Sequence, residues 1–166
     1  MSTRIVAIDG HGGAGKSTLA EELAGELGGA RIVHTDDFAS WDVPLDWWPR
    51  LLEELLEPLS RGETARYRRS SWEGEKDTGI EEIAPAPFVL LEGVSASREA
   101  FRPFLTFSIW VETPRELCLQ RGLERDGVQA RAQWEAWMAE EDEYVERERP
   151  RERAQVVLRG DLDRWS

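Results

Sequence analysis

The chain has 166 residues, of which 40% are hydrophobic and 33% charged, a composition typical of one globular domain and not of a disordered chain. Its formal net charge of −12 argues against a polynucleotide as the main partner, because gripping a phosphate backbone requires a basic surface. One cysteine, no signal-peptide pattern and no apolar run of roughly 18 residues predict a cytoplasmic protein with no intramolecular disulfide and no membrane contact.

Short apolar runs alternate with helical patterns along the chain. The runs predict buried strands over 5–9, 31–34, 88–91, 105–111 and 155–158. Apolar residues at helical spacing predict helices over 16–27, 48–59 and 134–145, and a capping box predicts another that opens at 113–116. The polar, arginine-rich stretch 62–79 is interpreted as irregular. This alternation predicts an α/β fold with a five-stranded parallel sheet, helices on both faces, and one domain over 1–166.

The segment GHGGAGKS at positions 10–17 matches G-x-x-x-x-G-K-S/T and lies between a predicted strand and a predicted helix. Glycines let backbone N–H groups approach phosphate oxygens, and the start of the helix adds a positive dipole end. The pattern therefore predicts a phosphate loop in which Lys16 holds phosphates and Ser17 ligates Mg²⁺. The predicted nucleotide-binding residues are Gly10, Gly12, Gly13, Ala14, Gly15, Lys16, Ser17, Thr18 and Arg121.

A phosphate loop alone does not separate GTPases, motors and kinases. The chain contains no asparagine, which excludes an Asn-Lys-x-Asp guanine selector, and its one Asp-x-x-Gly overlaps the loop at 9–12. An oligomeric motor usually needs a longer chain. A small-molecule kinase needs a phosphate loop, a carboxylate near the acceptor, an acceptor pocket and a lid with arginines, and all four have candidates here.

Acidic residues follow two of the predicted strands. Asp36 and Asp37 come after the second strand, and Glu92 comes after the third, at the sheet edge where α/β folds bind ligands. One of the aspartates is predicted to take the proton of the acceptor hydroxyl, and the residues leave open which one. Glu92 is predicted to hold Mg²⁺ through water, together with Ser17.

Arginines and aromatic residues supply the remaining candidates. Arg121 and Arg125 lie four residues apart, which places them on one helix face in a predicted lid over about 121–133. With Lys16 and one of the two aspartates they form the predicted catalytic set. The acceptor-binding excursion is predicted over about 38–80, and Trp134 and Trp137 are predicted to be core. The predicted acceptor-binding residues are Asp36, Asp37, Phe38, Tyr67, Arg69 and Trp72.

The segments GHGGAGKS, HTDDF, RYRRSSW, VLLEG and RGLERDG, in this order, resemble the uridine kinase-like branch of P-loop kinases, which includes nicotinamide riboside and pantothenate kinases. The resemblance implies a P-loop NTPase three-layer sandwich with strand order 2-3-1-4-5, ATP and Mg²⁺ as cofactors, and Asp36 as base. It also implies that Arg121 and Arg125 serve the lid. Ser71 stands where family members often carry an aspartate that helps to hold a sugar.

Three functions therefore remain open. The first is transfer of the γ-phosphoryl group of ATP to a hydroxyl of a nucleoside or similar metabolite. The second is a nucleoside monophosphate kinase, in which Arg66, Arg68 and Arg69 hold the acceptor's phosphate. The third is a nucleotide-binding regulatory module without transfer activity. The oligomeric state is not predicted.

Overall fold

A five-stranded parallel sheet forms the centre of the computed structural model, which describes residues 2–39, 46–70 and 79–162. In chain order, the strands of the described residues are β1 (Arg4–Gly10), β2 (Arg31–His34), β3 (Ala65–Arg68), β4 (Ile80–Ile83), β5 (Phe88–Glu92), β6 (Phe107–Glu112) and β7 (Val156–Arg159). The sheet has the order β2-β5-β1-β6-β7, which reads 2-3-1-4-5 when the hairpin strands β3 and β4 are left out.

Helices cover both faces of this sheet, and the predicted α/β class is confirmed. The helices are α1 (Lys16–Glu26), α2 (Trp48–Leu51), α3 (Glu57–Ser60), α4 (Arg115–Asp126), α5 (Arg131–Glu148) and α6 (Pro150–Arg153). A π-helical turn over Leu52–Leu56 joins α2 to α3, so the helix predicted over 48–59 is a helical segment with one wide turn. Within the described ranges, no helix is long and apolar enough to cross a membrane.

The central strand β1 divides the core into two layers. Ile5 and Ala7 belong to the cluster that packs against α2 and α3, while Val6 and Ile8 belong to the cluster that packs against α1. Successive side chains of a strand point to opposite faces, so an apolar run without polar interruption is what a strand buried on both faces requires. The predicted strand over 5–9 has this property because helices cover it on both sides.

The antiparallel hairpin β3–β4 corrects the prediction that 62–79 is irregular, because 65–68 form a strand; residues 71–78 lie outside the described ranges. Along β3, Ala65 and Tyr67 are buried whereas Arg66 and Arg68 are exposed, which is the alternation of a strand with one solvated face. The sequence shows the same alternation, but over four residues and with arginine at the outward positions. Such a short pattern is easily taken for a polar loop.

Candidate active site

The phosphate loop lies at the carboxyl end of β1 and leads directly into α1. Gly13 and Gly15 have φ values of 79° and 100°, a left-handed conformation that favours glycine. A Cβ on Gly13 would lie 2.5 Å from the backbone oxygen of Cys118 in α4, so the loop also packs too closely for a side chain there. Lys16 is buried, and its Nζ donates to the backbone oxygen of His11 at 2.6 Å. The loop therefore has the shape that its glycines predict.

Glu92 connects the start of α1 to the end of β2. Its Oε1 accepts a hydrogen bond from Ser17 Oγ at 3.3 Å, and its Oε2 lies 2.6 Å from His34 Nδ1. His34 and Glu92 occupy the same register position of the paired strands β2 and β5. Sequence analysis did not single out His34, although aligning the ends of the two predicted strands would have placed it beside Glu92.

The pKa of Glu92 is lowered in the site, whereas the pKa values of His34 and Asp36 are raised. Burial alone would raise the pKa of Glu92, but the bond to His34 and the charge of Lys16 outweigh it and hold that pKa below its ordinary value. Bonding to Glu92 raises the pKa of His34. Asp36 is partly exposed, but loss of water around its carboxyl group inside the cavity raises its pKa; the charge of Lys16 opposes this rise and that of Glu92 adds to it. The arrangement favours an ionised Glu92 and a more basic Asp36.

Arg121 joins the phosphate loop to the segment that follows β7. Its Nη1 donates to the backbone oxygen of Gly13 at 3.2 Å, and its Nη2 donates to that of Gly160 at 2.9 Å. A single guanidinium group holds both carbonyls because its N–H groups are arranged as a fork. Arg121 therefore braces the loop from the predicted lid.

Arg125, one turn further along α4, lies at the mouth of the site. It forms an ion pair with Asp126 at 3.1 Å, and its guanidinium carbon lies 5.5 Å from the centre of the Trp134 ring. Trp134 Nε1 donates to Asp126 Oδ2 at 2.8 Å. Arg125 and the end of α4 are thus packed on α5 through one tryptophan.

A cavity of about 880 Å³ brings most of the predicted site together. Its lining includes Gly12, Gly13, Gly15, Lys16, Ser17, Thr18, Asp36, Glu92, Arg121 and Arg125. One wall comes from α5, with Gln133, Trp134, Trp137, Glu140 and Glu141, and sequence analysis did not predict this wall. Trp134 is buried, as expected for core, but both tryptophans line the cavity.

Curated relatives identify the family. A uridine kinase from Aeromonas salmonicida is 30% identical over 144 residues, which cover 74% of this chain and 67% of that protein. A uridine kinase from Tolumonas auensis matches with the same identity and coverage. The chain belongs to the uridine kinase family. No family model matches it. The predictions of an enzyme and of a kinase are confirmed by these relatives.

Solved structures show that this kinase has the fold of its family. A possible uridine kinase from Bacillus stearothermophilus superposes with a TM-score of 0.72 at 22% identity, covering 95% of this chain and 89% of that chain. A candidate fructose transport system kinase from Silicibacter sp. TM1040 superposes with a TM-score of 0.73 at 19% identity, covering 94% and 89%. The fold is therefore shared by kinases whose names point to different acceptors.

The predicted acceptor-binding residues are only partly brought together in this kinase. Phe38 and Tyr67 are buried in the core, with ring centres 4.5 Å apart, and neither is among the residues that line the cavity. Tyr67 Oη donates to Asp37 Oδ2 at 3.4 Å, which turns Asp37 towards the hairpin. Trp72 lies outside the described residues. Of the predicted nucleotide-binding residues, Gly10 and Ala14 belong to the loop but are not among the residues that line the cavity.

The arginines proposed to hold a phosphorylated acceptor lie on or next to the hairpin. Arg66 Nε forms an ion pair with Glu82 at 2.8 Å, and Arg69 Nε forms one with Glu81 at 3.4 Å. Arg66 and Arg68 point outwards from β3. None of the three is among the residues that line the cavity, so the described part of the chain does not gather them around one acceptor.

Proposed function

We propose that this kinase transfers the γ-phosphoryl group of ATP to a hydroxyl group of a small molecule, most readily a nucleoside or a similar metabolite. The observation that carries the proposal is that Lys16, Ser17, Asp36 and Arg125 line one cavity of about 880 Å³. Donors for phosphate oxygens thus face the same space as a carboxylate that can accept the hydroxyl proton. This volume falls within the range of roughly 300–1,000 Å³ that small-molecule sites occupy.

The phosphate loop would hold the triphosphate. Lys16 is the cation at the start of α1, where unpaired N–H groups and the positive end of the helix dipole favour an anion. Because Gly13 leaves no Cβ between the backbone and its neighbours, N–H groups of the loop can approach phosphate oxygens closely. Arg125 would add a positive charge as negative charge develops on the transferred group.

The donors around Ser17 fit a magnesium ion. The Ser17 hydroxyl and the Glu92 carboxylate lie 3.3 Å apart, and oxygen ligands are those that Mg²⁺ prefers. When bound, Mg²⁺ would neutralise charge on the phosphates. His34 keeps the second oxygen of Glu92 occupied, so the carboxylate would present its first oxygen to a metal-bound water.

Asp36 is the better candidate for the base. It lines the cavity, whereas Asp37 accepts a hydrogen bond from Tyr67 beside the hairpin. A general base must lie within hydrogen-bond reach of the proton that it takes, and its efficiency improves as its pKa approaches the operating pH. The pKa of Asp36 is raised above its ordinary value, which brings it closer to the operating pH. We therefore assign the base to Asp36.

The wall from α5 supports a planar acceptor. Trp137 is half-buried, lines the cavity and meets Trp134 edge to face with ring centres 5.6 Å apart. An indole face packs well on a flat ring, and the neighbouring Gln133 amide can both donate and accept hydrogen bonds. These features agree with a nucleoside, the acceptor class named by the relatives.

The test is release of ADP from ATP–Mg²⁺ with a panel of nucleosides, nucleoside monophosphates, pantothenate, nicotinamide riboside and sugars, beside a control without acceptor. The proposal expects stimulation by a hydroxyl acceptor that carries no phosphate. Stimulation by monophosphates alone would favour the monophosphate kinase. Tight ATP binding without stimulation by any acceptor would favour the regulatory module.

The first prediction concerns Asp36. The substitution Asp36→Ala should lower kcat by at least about a hundredfold, because it removes the proposed base, while ATP binding stays close to that of the unsubstituted chain. Glu116→Gln is the control, since it changes a carboxylate on the exposed side of α4. Turnover of Asp36→Ala within a few-fold of normal, measured with the acceptor found by the panel, would reject Asp36 as base.

A further inference from the structure

Glu141 of α5 contacts the phosphate loop directly. Both of its carboxylate oxygens accept the backbone N–H of Gly12, at 3.0 Å and 3.3 Å. Glu141 is 5% exposed, and the bond is partly buried beside the cavity that Glu141 lines. A residue from the helix after the lid thus holds a group in the loop 129 positions earlier in the chain.

Neighbours of Glu141 bond to the same stretch of chain. Asp142 Oδ1 lies 3.2 Å from His11 Nε2, and Tyr144 Oη donates to Asp9 Oδ2 at 2.6 Å. We call Glu141, Asp142 and Tyr144 the loop brace, because these three residues of one helical turn contact Gly12 and His11 in the loop and Asp9 in β1. The loop brace and Arg121 therefore hold different residues of the loop.

The surroundings of Gly12 leave little space for a side chain. A Cβ on Gly12 would lie 3.1 Å from the Trp134 ring and 3.4 Å from Glu141 Oε2. Gly12 is therefore packed closely against Trp134 and Glu141, while its N–H donates to the Glu141 carboxylate. Lys16 lies close enough to Glu141 to oppose the rise that burial causes in its pKa.

We propose that Glu141 is a positioning residue for nucleotide binding, which acts by holding Gly12 so that the loop keeps the shape that receives the phosphates. This inference rests on the proposed function only in taking ATP as the nucleotide. Glu141 acts through the length of its side chain, which brings an acceptor oxygen to the Gly12 N–H, and its negative charge is not required. A carboxylate that acted by charge would instead repel the phosphates and weaken binding.

Two substitutions separate reach from charge. Glu141→Gln keeps the length and an acceptor oxygen but removes the charge, whereas Glu141→Asp keeps the charge and withdraws the oxygens by one methylene group. Glu141→Ala removes both. Glu143→Ala is the matched control, because Glu143 is an exposed glutamate of the same helix.

The measurement is the Kd for ATP by calorimetric titration without acceptor, together with the thermal unfolding temperature of each variant without ligand. We expect Glu141→Ala and Glu141→Asp to bind ATP about tenfold more weakly, since each leaves the Gly12 N–H without its acceptor oxygen. Glu141→Gln should stay within about threefold of the unsubstituted chain, and Glu143→Ala should not change. If Glu141→Ala does not fold, the Kd values of the other two variants test the inference, since Glu141→Gln should bind ATP more tightly than Glu141→Asp.

Two outcomes would overturn the inference. Normal ATP binding by Glu141→Asp would show that reach does not matter, and tighter binding by Glu141→Gln would show that the carboxylate opposes the phosphates. Failure of the proposed function looks different. A chain that binds ATP in this way but phosphorylates no acceptor would reject transfer and leave the positioning role standing.

Discussion

Asp36 and Asp37 are adjacent in the chain but lie in different surroundings. Both belong to the short turn Thr35–Asp37 after β2. Asp36 lines the cavity with Lys16 and Glu92, while Asp37 faces Tyr67 and Arg69. A change of one position in a turn therefore decides which carboxylate can meet a substrate.

The pH dependence of the reaction should report on Asp36. Because the surrounding protein raises its pKa above 3.8, the base stays protonated to higher pH than an ordinary aspartate would. A base acts when deprotonated, so kcat/KM for the acceptor should rise with pH through this raised pKa and level off above it. The profile is measured with saturating ATP–Mg²⁺. An acidic limb at the ordinary aspartate value, or an unchanged limb in the residual activity of Asp36→Asn, would contradict the assignment.

Gly122 allows Trp134 to lie against α4. A Cβ there would come within 2.5 Å of two ring carbons of Trp134, so Gly122→Ala forces the ring or the helix to move. We expect a loss of about 1–3 kcal/mol in the free energy of unfolding, the usual cost of overpacking a well-packed contact. Urea unfolding followed by circular dichroism measures it.

The matched control for this prediction is Gly25→Ala in α1. Gly25 is exposed and a Cβ there meets nothing within 4 Å, so alanine should be neutral or stabilise the helix by up to about 1 kcal/mol. Equal effects of the two substitutions would mean that the Trp134 contact does not limit packing.

At the scale of elements, Arg121 ties α4 to two loops at once. Its two hydrogen bonds go to carbonyls of two different loops, and a lysine ammonium cannot reproduce the planar fork that reaches both. Arg121→Lys should therefore weaken ATP binding by roughly three- to tenfold, the effect of losing about one hydrogen bond. Arg61→Lys, an exposed arginine paired with Glu63, is the control. Unchanged ATP affinity in Arg121→Lys would show that the loops do not need this bridge.

The sequence predicted the strands of the sheet and the phosphate loop because each depends on local pattern. Periodicity of two or 3.6 residues and a glycine-rich turn are readable in short windows. Which helix face lines a cavity is a different kind of information. Trp134 and Trp137 have the spacing of core residues, and the same spacing results when a helix lines a pocket.

The predicted acceptor-binding residues show the opposite error: residues predicted to contact a ligand lie in the core. Aromatic residues between the second and third predicted strands, among them Phe38 and Tyr67, are predicted to contact the acceptor, but these two pack on each other beside Trp47. Local sequence identifies residues that can stack on a ligand. It cannot say whether a neighbouring side chain already covers them, because that depends on the hairpin β3–β4 folding back towards Phe38.

At the scale of the whole molecule, one buried carboxylate links distant parts of the chain. Asp9 is fully buried at the end of β1 and accepts hydrogen bonds from the backbone of Ser95 at 2.9 Å and from Ser97 Oγ at 2.7 Å. Tyr144 of α5 donates to the same carboxylate at 2.6 Å. A buried ionised group needs such donors to offset its lost hydration. The sheet, the loop after β5 and α5 thus share a single set of bonds.

Tyr144 should therefore contribute measurably to global stability. Tyr144→Phe removes one donor to a buried carboxylate and little volume, so we expect the free energy of unfolding to fall by about 1.5–3 kcal/mol, the range for hydrogen bonds to charged groups. Tyr67→Phe is the control, because that buried hydroxyl makes a bond of 3.4 Å to Asp37 and its loss should cost less than about 1 kcal/mol. Urea unfolding of both variants gives the comparison. If Tyr144→Phe cost no more than Tyr67→Phe, the remaining donors would be sufficient for Asp9, and the Tyr144 hydroxyl would not be needed to hold α5 to the sheet.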